Sequence, residues 1–235
     1  MVSTDPNSRG GKRRYLHSTV PEEYIPDVGE VDLSELSLTG LANLFGSDKG
    51  GIKHNYCKIY SRILEEALNR VSPNDLVIGE VGVACGASLR MWAHHLPKSQ
   101  IVGFDIRSEC QALCGDMPNV EIVIGDATKA STFEGRRFDI FVDDGSHVAE
   151  HIVQTFNQVW GNIKPGGFYV VEDIACTYNP NYSESLLKNL GLKTENRRST
   201  FVAFVDALMR ATDARQLQLG SLSYYPQMLV LRKEG

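Results

Sequence analysis

The sequence contains no apolar run that approaches the roughly 18 residues needed to cross a bilayer. Its first residues also lack the apolar centre of a secretory signal. We therefore expect a cytoplasmic protein with no membrane partner. No internal repeat is visible, and 235 residues are enough to bury one substantial core, so we expect a single main domain.

Cysteine is scarce: the chain has five, and none belongs to a CxxC pair. An odd number of cysteines without paired spacing indicates neither a disulfide framework nor a zinc site. Buried free thiols are the simpler interpretation.

Positive charge is also in short supply. Lys and Arg total 24 against 29 Asp and Glu, which gives a net charge of -5 and a pI of about 5.7. The basic residues are scattered along the chain, so the composition argues against nucleic acid as a partner. A small-molecule partner fits better, and association into a homo-oligomer stays open.

Residues 1–30 mix Ser, Pro, Gly and charge without a hydrophobic period, which predicts a flexible N-terminal arm. The main domain is expected over residues 31–235. It begins with a short helix and a second helix over about residues 56–70, where apolar residues recur at three- and four-residue spacing. Five β-rich runs then alternate with helical stretches, including one over 147–163, and lie at 76–83, 100–105, 120–124, 138–143 and 167–172.

The C-terminal third has a predicted helix over 199–212 and two strand-like runs at 216–223 and 227–232. The connection between those runs is too short for a helical crossover, so they should pair antiparallel. Together with the βα alternation, this predicts an α/β fold whose sheet is mostly parallel and seven-stranded, with a C-terminal antiparallel hairpin and N-terminal helices. The arrangement resembles the Rossmann-like fold of class I methyltransferases.

The segment 80–88 follows the first strand and opens a helix, where open α/β sheets bind their ligands. Its ExGxxxG pattern resembles the cofactor loop of S-adenosylmethionine-dependent methyltransferases. The resemblance implies that Glu80 meets the amino-acid part of the cofactor, and that Gly82 and Gly86 face its ribosyl and methionine portions. Ser88, the last residue of the segment, is also a candidate cofactor-binding residue. The alternative explanation of the glycines is an ordinary tight turn between strand and helix.

Two further acids, Asp105 and Asp126, end the second and third strands. Asp105 is placed to accept hydrogen bonds from ribose hydroxyls, and the resemblance implies that Asp126, with Ala127, lies against the adenine. Each acid is also explained as a turn or cap residue, but acids at three successive strand ends favour one cofactor. A nicotinamide dehydrogenase is the rival interpretation, and its GxGxxG fingerprint is missing.

The fourth and fifth strands end in more acids: Asp143 and Asp144 after one, Glu172 and Asp173 after the other. The resemblance to class I methyltransferases implies that these two strands are neighbours, and adjacent strands lie about 4.8 Å apart, so Asp144, Glu172 and Asp173 should converge. Three carboxylates without a cation would repel one another, whereas an oxygen-rich cluster suits Mg²⁺, and Mn²⁺ accepts the same ligands. Asp143 is counted with the cofactor-binding residues.

His147 lies three residues after Asp144 and is the predicted base. Imidazole titrates near neutrality and suits the removal of a hydroxyl proton, whose pKa a bound metal would lower. The acceptor oxygen would then attack the cofactor's methyl carbon directly, and S-adenosylhomocysteine would leave. The alternative is a histidine at a helix start that only hydrogen-bonds nearby backbone.

Four motifs carry a closer resemblance: GSDK at 46–49, HNY at 54–56, DGSH at 144–147 and VED at 171–173. Together they resemble the metal-dependent sugar O-methyltransferases of antibiotic biosynthesis, from about Leu41 to the C-terminus. The resemblance implies that Asp144, Glu172 and Asp173 bind Mg²⁺ and that His147 is the base. It also implies a lid over the cofactor; its members are Lys49, His54 and Tyr56, which are equally explained as a capped loop and the start of a packed helix.

The sequence thus predicts an S-adenosylmethionine-dependent O-methyltransferase of class EC 2.1.1 that acts on a sugar hydroxyl of a glycosylated natural product. A catechol-type O-methyltransferase, which would act on an aromatic diol, is one alternative. The other is a cofactor-binding partner protein that no longer transfers methyl groups. The intact acid cluster and His147 argue against the second alternative.

Overall fold

The computed structural model of the chain describes residues 32–182 and 196–235. The flexible arm predicted over residues 1–30 lies outside the described residues. Within the described ranges, no helix combines the length and apolar character needed to cross a membrane.

In the described part of the chain, seven strands form one sheet in the order β3-β2-β1-β4-β5-β7-β6. The strands are β1 (Val77–Val81), β2 (Gln100–Asp105), β3 (Val120–Ile124), β4 (Phe138–Asp143), β5 (Ile163–Val171), β6 (Leu219–Tyr225) and β7 (Met228–Lys233). The first five pair in parallel, and β7 runs antiparallel to both β5 and β6. The predicted mostly parallel sheet with a C-terminal antiparallel hairpin is confirmed.

Five α-helices accompany the sheet within the described residues. They are α1 (Leu38–Leu44), α2 (Cys57–Leu68), α3 (Ala87–His95), α4 (Ala149–Val159) and α5 (Arg198–Asp213). Helix α4 starts two residues after the predicted boundary because His147 has a left-handed backbone, with φ of 56°, which an α-helix does not accept. Strand β1 likewise stops before Gly82, where φ of 96° turns the chain out of the sheet.

The sheet is covered on both faces, and the side chains of β4 show how. Ile140 and Val142 pack on one face with residues of α1, α2 and α3, whereas Phe141 packs on the other with residues of α4 and α5. Successive side chains of a strand point to opposite faces, so one buried strand serves both cores. This explains why β4 is buried at every position and carries apolar residues on both faces.

The parallel register fixes what lies at the carboxyl edge of the sheet. Asp143 is the partner of Val81 on one side and of Val171 on the other. The residues that follow those strand ends therefore leave the sheet side by side. Among them are Asp144 and Glu172, from two different strands.

Phe141 is the centre of the aromatic packing under α4 and α5. Its side chain has no exposed surface, and its ring lies 5.0 to 6.0 Å from the rings of Phe104, Phe133, Phe138 and Tyr169. Rings at these separations pack favourably beyond the area they bury. The cluster ties β2, β4 and β5 together.

We predict that Phe141→Ala lowers the free energy of unfolding by about 3–5 kcal/mol, because the lost ring leaves a cavity that the surrounding rings cannot fill. Urea unfolding measures the effect. Ile52→Ala is the matched control, since Ile52 is 83% exposed and its truncation should change stability by no more than about 0.5 kcal/mol. Equal effects of the two substitutions would contradict the packing described here.

Candidate active site

A lysine amine lies among the acids at the carboxyl edge of the sheet. Lys49 Nζ is 2.6 Å from Asp144 Oδ2, 3.0 Å from Glu172 Oε2 and 3.6 Å from Glu80 Oε1. The Lys49 side chain has no exposed surface, and those of Glu80 and Glu172 have almost none. Carboxylates from the carboxyl ends of β1, β4 and β5 thus meet at one buried ammonium. Burying a charge is costly unless it is paired, and these contacts provide the pairing.

The charges in this cluster do not balance. Burial lowers the pKa of Lys49, but attraction by Asp144, Glu172 and Glu80 outweighs burial and raises that pKa well above its ordinary value. One ammonium cannot neutralise three carboxylates. Burial, together with repulsion from the other acids, therefore raises the pKa of Glu80 and of Glu172, although Lys49 opposes the rise.

Glu80, predicted to contact the cofactor, is held by protein donors. Ser88 donates its hydroxyl hydrogen bond to Glu80 Oε1, and Trp92 Nε1 donates to Oε2 at 2.6 Å. Glu80 therefore has a structural role in joining β1 to α3. The cofactor contacts of Glu80 and Ser88 stay a prediction.

Asp144, His147 and Asp173 form a second group beside the lysine. One potential ligand atom from each lies within 4.8 Å of the others. Their side chains are between 13% and 18% exposed, so this group opens to solvent whereas Lys49 does not. His147 Nε2 is 3.9 Å from Asp144 Oδ1, and the backbone carbonyl of His147 accepts a hydrogen bond from Asn196 Nδ2 at 3.2 Å.

Glu172 differs from the other two acids predicted to bind metal. One of its oxygens faces Lys49 and the other accepts a hydrogen bond from the Tyr60 hydroxyl. Its side chain is only 1% exposed. The structure thus brings Asp144 and Asp173 together with His147 on the side of the site that is open to solvent. Glu172 lies deeper in the protein, in contact with Lys49.

The loop before α2 contributes side chains that lie next to Asp173. Tyr56 donates its hydroxyl hydrogen bond to Asp173 Oδ1 at 2.6 Å, and the His54 ring stacks on Tyr56 with centroids 5.0 Å apart. Asp48, His54 and Asp173 form a further group whose ligand atoms lie within 4.8 Å. Of the predicted lid residues, His54 and Tyr56 therefore lie beside Asp173, whereas Lys49 is buried among the acids; the cofactor contacts of all three stay a prediction.

The two glycines of the 80–88 segment are required by the protein's own packing. A Cβ on Gly82 would overlap the backbone carbonyl of Asp144, and one on Gly86 would lie 2.9 Å from Cys114 Sγ. Both residues also have left-handed φ values, 96° and 80°. Gly82 therefore allows a close approach of the loops after β1 and β4, a packing reason that differs from both the bound group and the ordinary tight turn considered from the sequence.

Asp105 has a cationic partner that the sequence interpretation missed. Arg107 Nε and Nη2 lie 3.1 Å from its two oxygens, and the Ala84 amide donates to it at 3.2 Å. Burial raises the pKa of Asp105. The hydrogen bonds and charge of Arg107, together with the Ala84 amide, lower this pKa by more than burial raises it, so the net shift is downward. Arg107 Nη2 also donates to the Ala84 carbonyl, so the pair braces the glycine loop.

Asp126 and Asp143 are held locally. Asp126 Oδ1 accepts from the Thr128 amide and hydroxyl at 2.9 and 2.7 Å, which is the turn role that the sequence left open, and Ala127 packs on the core beneath. Asp143 accepts from the Tyr169 hydroxyl at 2.8 Å, and burial raises its pKa to about 6. Their cofactor contacts stay predictions.

Several side chains that shape the site were not predicted: Trp92, Arg107, Tyr169 and Asn196. Trp92, Tyr169 and Asn196 each bond a residue distant in sequence, and none of the four belongs to a spaced motif. Arg107 alone offered a signal, as a cation two residues after a strand-end acid.

Comparison with known proteins gives relatives of one kind. Residues 80–174 match the family model described as a methyltransferase domain. Over 223 residues the chain is 28% identical to the 8-demethyl-8-alpha-L-rhamnosyl tetracenomycin-C 2'-O-methyltransferase of Streptomyces olivaceus, with 84% of this chain and 55% of that protein covered. It is 32% identical over 163 residues to the mycinamicin VI 2''-O-methyltransferase of Micromonospora griseorubida, with 64% and 38% covered.

Among solved structures, the chain is similar to the MycE methyltransferase from the mycinamycin biosynthetic pathway in complex with Mg and SAH. The TM-score is 0.70 at 23% identity, with 85% of this chain and 55% of that chain covered. The class I methyltransferase fold is confirmed, as is the predicted resemblance to sugar O-methyltransferases of antibiotic pathways. The chain spans about half the length, or less, of the curated relatives it matches.

We predict that Gly82→Ala lowers the free energy of unfolding by at least about 2 kcal/mol, because it combines left-handed strain with overlap at the Asp144 carbonyl. Urea unfolding measures the loss. Gly135→Ala is the control: φ is also left-handed, at 72°, but a Cβ there meets nothing within 4 Å. Should the control cost as much as Gly82→Ala, the close approach of the two loops would not be the reason for the glycine.

We predict that Arg107→Gln lowers the free energy of unfolding at pH 7 by about 1–2 kcal/mol, since it removes a charged partner from a buried carboxylate. Because the folded pKa of Asp105 is depressed, its stabilising contribution is present above the ordinary value of 3.8 and is lost as pH falls through the folded pKa. The difference between wild type and variant, measured by urea unfolding, should therefore shrink at acidic pH. A difference that grows on acidification would contradict the assignment.

Proposed function

We propose that this chain transfers the methyl group of S-adenosylmethionine to a sugar hydroxyl of a glycosylated natural product, with help from a divalent metal. The observation that carries the proposal is the gathering of Asp144, His147 and Asp173, partly open to solvent, next to the glycine loop after β1. An acid pair beside an imidazole provides metal ligands and a base at one point. The methyltransferase domain predicted over residues 31–235 would contain this whole site.

The relatives support this choice of acceptor. One is named for methylation of a rhamnosyl tetracenomycin and another for methylation of mycinamicin VI. Because the chain spans only part of their length, we carry over the class of acceptor and not a particular compound.

The residues present fit a hard divalent cation. Carboxylate oxygens are the ligands that Mg²⁺ prefers, and Asp144 and Asp173 offer them where solvent can reach. We propose that Asp144, Glu172 and Asp173 hold Mg²⁺, or Mn²⁺, which accepts the same donors. When bound, the metal would lower the pKa of the acceptor hydroxyl.

The residues also fit a nucleoside cofactor along the carboxyl ends of β1, β2 and β3. Glu80, Asp105 and Asp126 lie at those neighbouring strand ends, along the edge where open α/β sheets bind ligands. The proposed cofactor-binding residues are Glu80, Gly82, Gly86, Ser88, Asp105, Asp126, Ala127 and Asp143, with Lys49, His54 and Tyr56 from the loop above.

His147 would take the hydroxyl proton on Nε2 as the acceptor oxygen bonds to the methyl carbon and S-adenosylhomocysteine leaves. The hydrogen bond from Asn196 holds the His147 backbone in its left-handed conformation. The hydrogen bond from the Tyr56 hydroxyl holds the carboxylate of Asp173 in place near His147. In this scheme the protein supplies orientation and a proton acceptor, and no covalent enzyme intermediate forms.

We further propose a cytoplasmic location. All five cysteines are free in the structure, which suits a reducing compartment.

A transfer assay with isotopically labelled S-adenosylmethionine tests the proposal. We expect label to enter a rhamnosylated aromatic polyketide but not a simple catechol, and EDTA to stop the transfer. Labelling of the catechol in preference to the glycoside would favour a catechol-type enzyme. Tight binding of S-adenosylhomocysteine without transfer to any acceptor would favour a non-catalytic partner protein.

We predict that His147→Ala lowers kcat by about 10²–10⁴-fold while Mn²⁺ affinity stays near that of wild type, because a base is lost and the carboxylate ligands remain. Asp173→Asn should instead weaken Mn²⁺ binding, measured by isothermal titration calorimetry. Asp75→Asn is the control, since Asp75 is exposed and precedes β1 at the opposite edge of the sheet. Loss of Mn²⁺ binding in His147→Ala would make that histidine a ligand and refute its role as the base.

A further inference from the structure

Lys49 occupies an unusual position for a lysine. Its amine has no exposed surface, and it lies at hydrogen-bond distance from Asp144 and Glu172. Both acids are among the three proposed to bind metal. The same oxygens that would face a divalent cation therefore already face a cation that belongs to the chain.

The other contacts of these acids do not replace that charge. Tyr60 donates to Glu172, and Ser88 and Trp92 donate to Glu80, but all three donors are neutral. Lys49 is thus the cation that lies among the three carboxylates of Glu80, Asp144 and Glu172 within the described residues. Removing it would leave Glu80 and Glu172 buried, with Asp144 beside them, and no cation among the three, which is strongly destabilising.

Asp144 shows how the two cations would meet. Its Oδ2 contacts Lys49 at 2.6 Å, and its Oδ1 faces His147 on the solvent side. A divalent ion that binds through Asp144 would therefore share this carboxylate with the ammonium. Two cations on one carboxylate repel each other at short range.

We propose that Lys49 is a positioning residue that takes the place of a metal ion in the metal-free protein, where it holds Asp144 and Glu172 in position and competes with the divalent cation for them. The proposal rests on the metal site of the proposed function. Its advantage to the enzyme is a site that is already assembled before metal arrives. Its cost is weaker metal binding than three free carboxylates would give.

Lys49→Met tests this, because methionine fills a similar volume without charge. We expect the Tm of the metal-free variant in EDTA to fall by about 5–15 °C, as a buried ion cluster loses its cation. We expect the Mn²⁺ dissociation constant from calorimetry to fall at least about 10-fold, because the repelling charge is gone. Mn²⁺ should then raise the Tm of the variant by more than it raises that of wild type.

Lys233→Met is the matched control. Lys233 is the other buried lysine of the described chain, and its amine donates only to the carbonyls of Trp160 and Ile163. Its loss should leave Mn²⁺ affinity unchanged. Lys49→Arg, which keeps the charge, should bind Mn²⁺ about as wild type does.

Each result decides a different point. If wild type binds Mn²⁺ and Lys49→Met binds it equally or more weakly, the competition is refuted and the proposed function stands. If neither protein binds Mn²⁺, the metal site of the proposed function is wrong, and the competition with it. If Lys49→Met is unfolded without metal, Mn²⁺ should restore its near-UV circular dichroism, and failure to do so overturns the proposal.

Discussion

The parallel pairing of β4 between β1 and β5 is the constraint on which the site depends. It sets Val81, Asp143 and Val171 in register, so that the next residues of three strands emerge at one edge. A shift of one residue would turn Asp144 or Glu172 to the opposite face and put an apolar neighbour in its place. Phe141 packs among four aromatic rings under α4 and α5, and this packing stabilises the register of β4.

The loops beyond those strands are joined as tightly as the strands. Gly82 packs so closely on the Asp144 backbone that no side chain fits between them, and the Asp144 amide donates to the Val81 carbonyl at 3.1 Å. The proposed cofactor loop and the proposed metal-binding loop are therefore one rigid unit. Such rigidity suits a displacement reaction, in which donor carbon and acceptor oxygen must be aligned closely.

Much of this arrangement was predictable from the sequence: strand ends follow from hydrophobic period and turn residues, and the neighbouring position of the fourth and fifth strands followed from the resemblance to class I methyltransferases. The convergence of Asp144 and Asp173 with His147 followed from that reasoning. The placement of Glu172 against Lys49 did not, since 123 residues separate the two and no spacing rule links them. The pattern also gave no reason to expect the Asp105–Arg107 pair or the fit of Gly82 against Asp144, because both depend on how loops pack in three dimensions.

The carboxylates at the sheet edge are therefore not left without a cation when no metal is bound. Three acids do gather, but the chain supplies one positive charge of its own, because the Lys49 ammonium lies among Glu80, Asp144 and Glu172. A lysine here cannot be explained by stability alone, because a buried ion cluster is seldom more stable than an apolar one of the same shape. In the proposed metal site, its value would lie in holding Asp144 and Glu172 in position until a divalent cation binds.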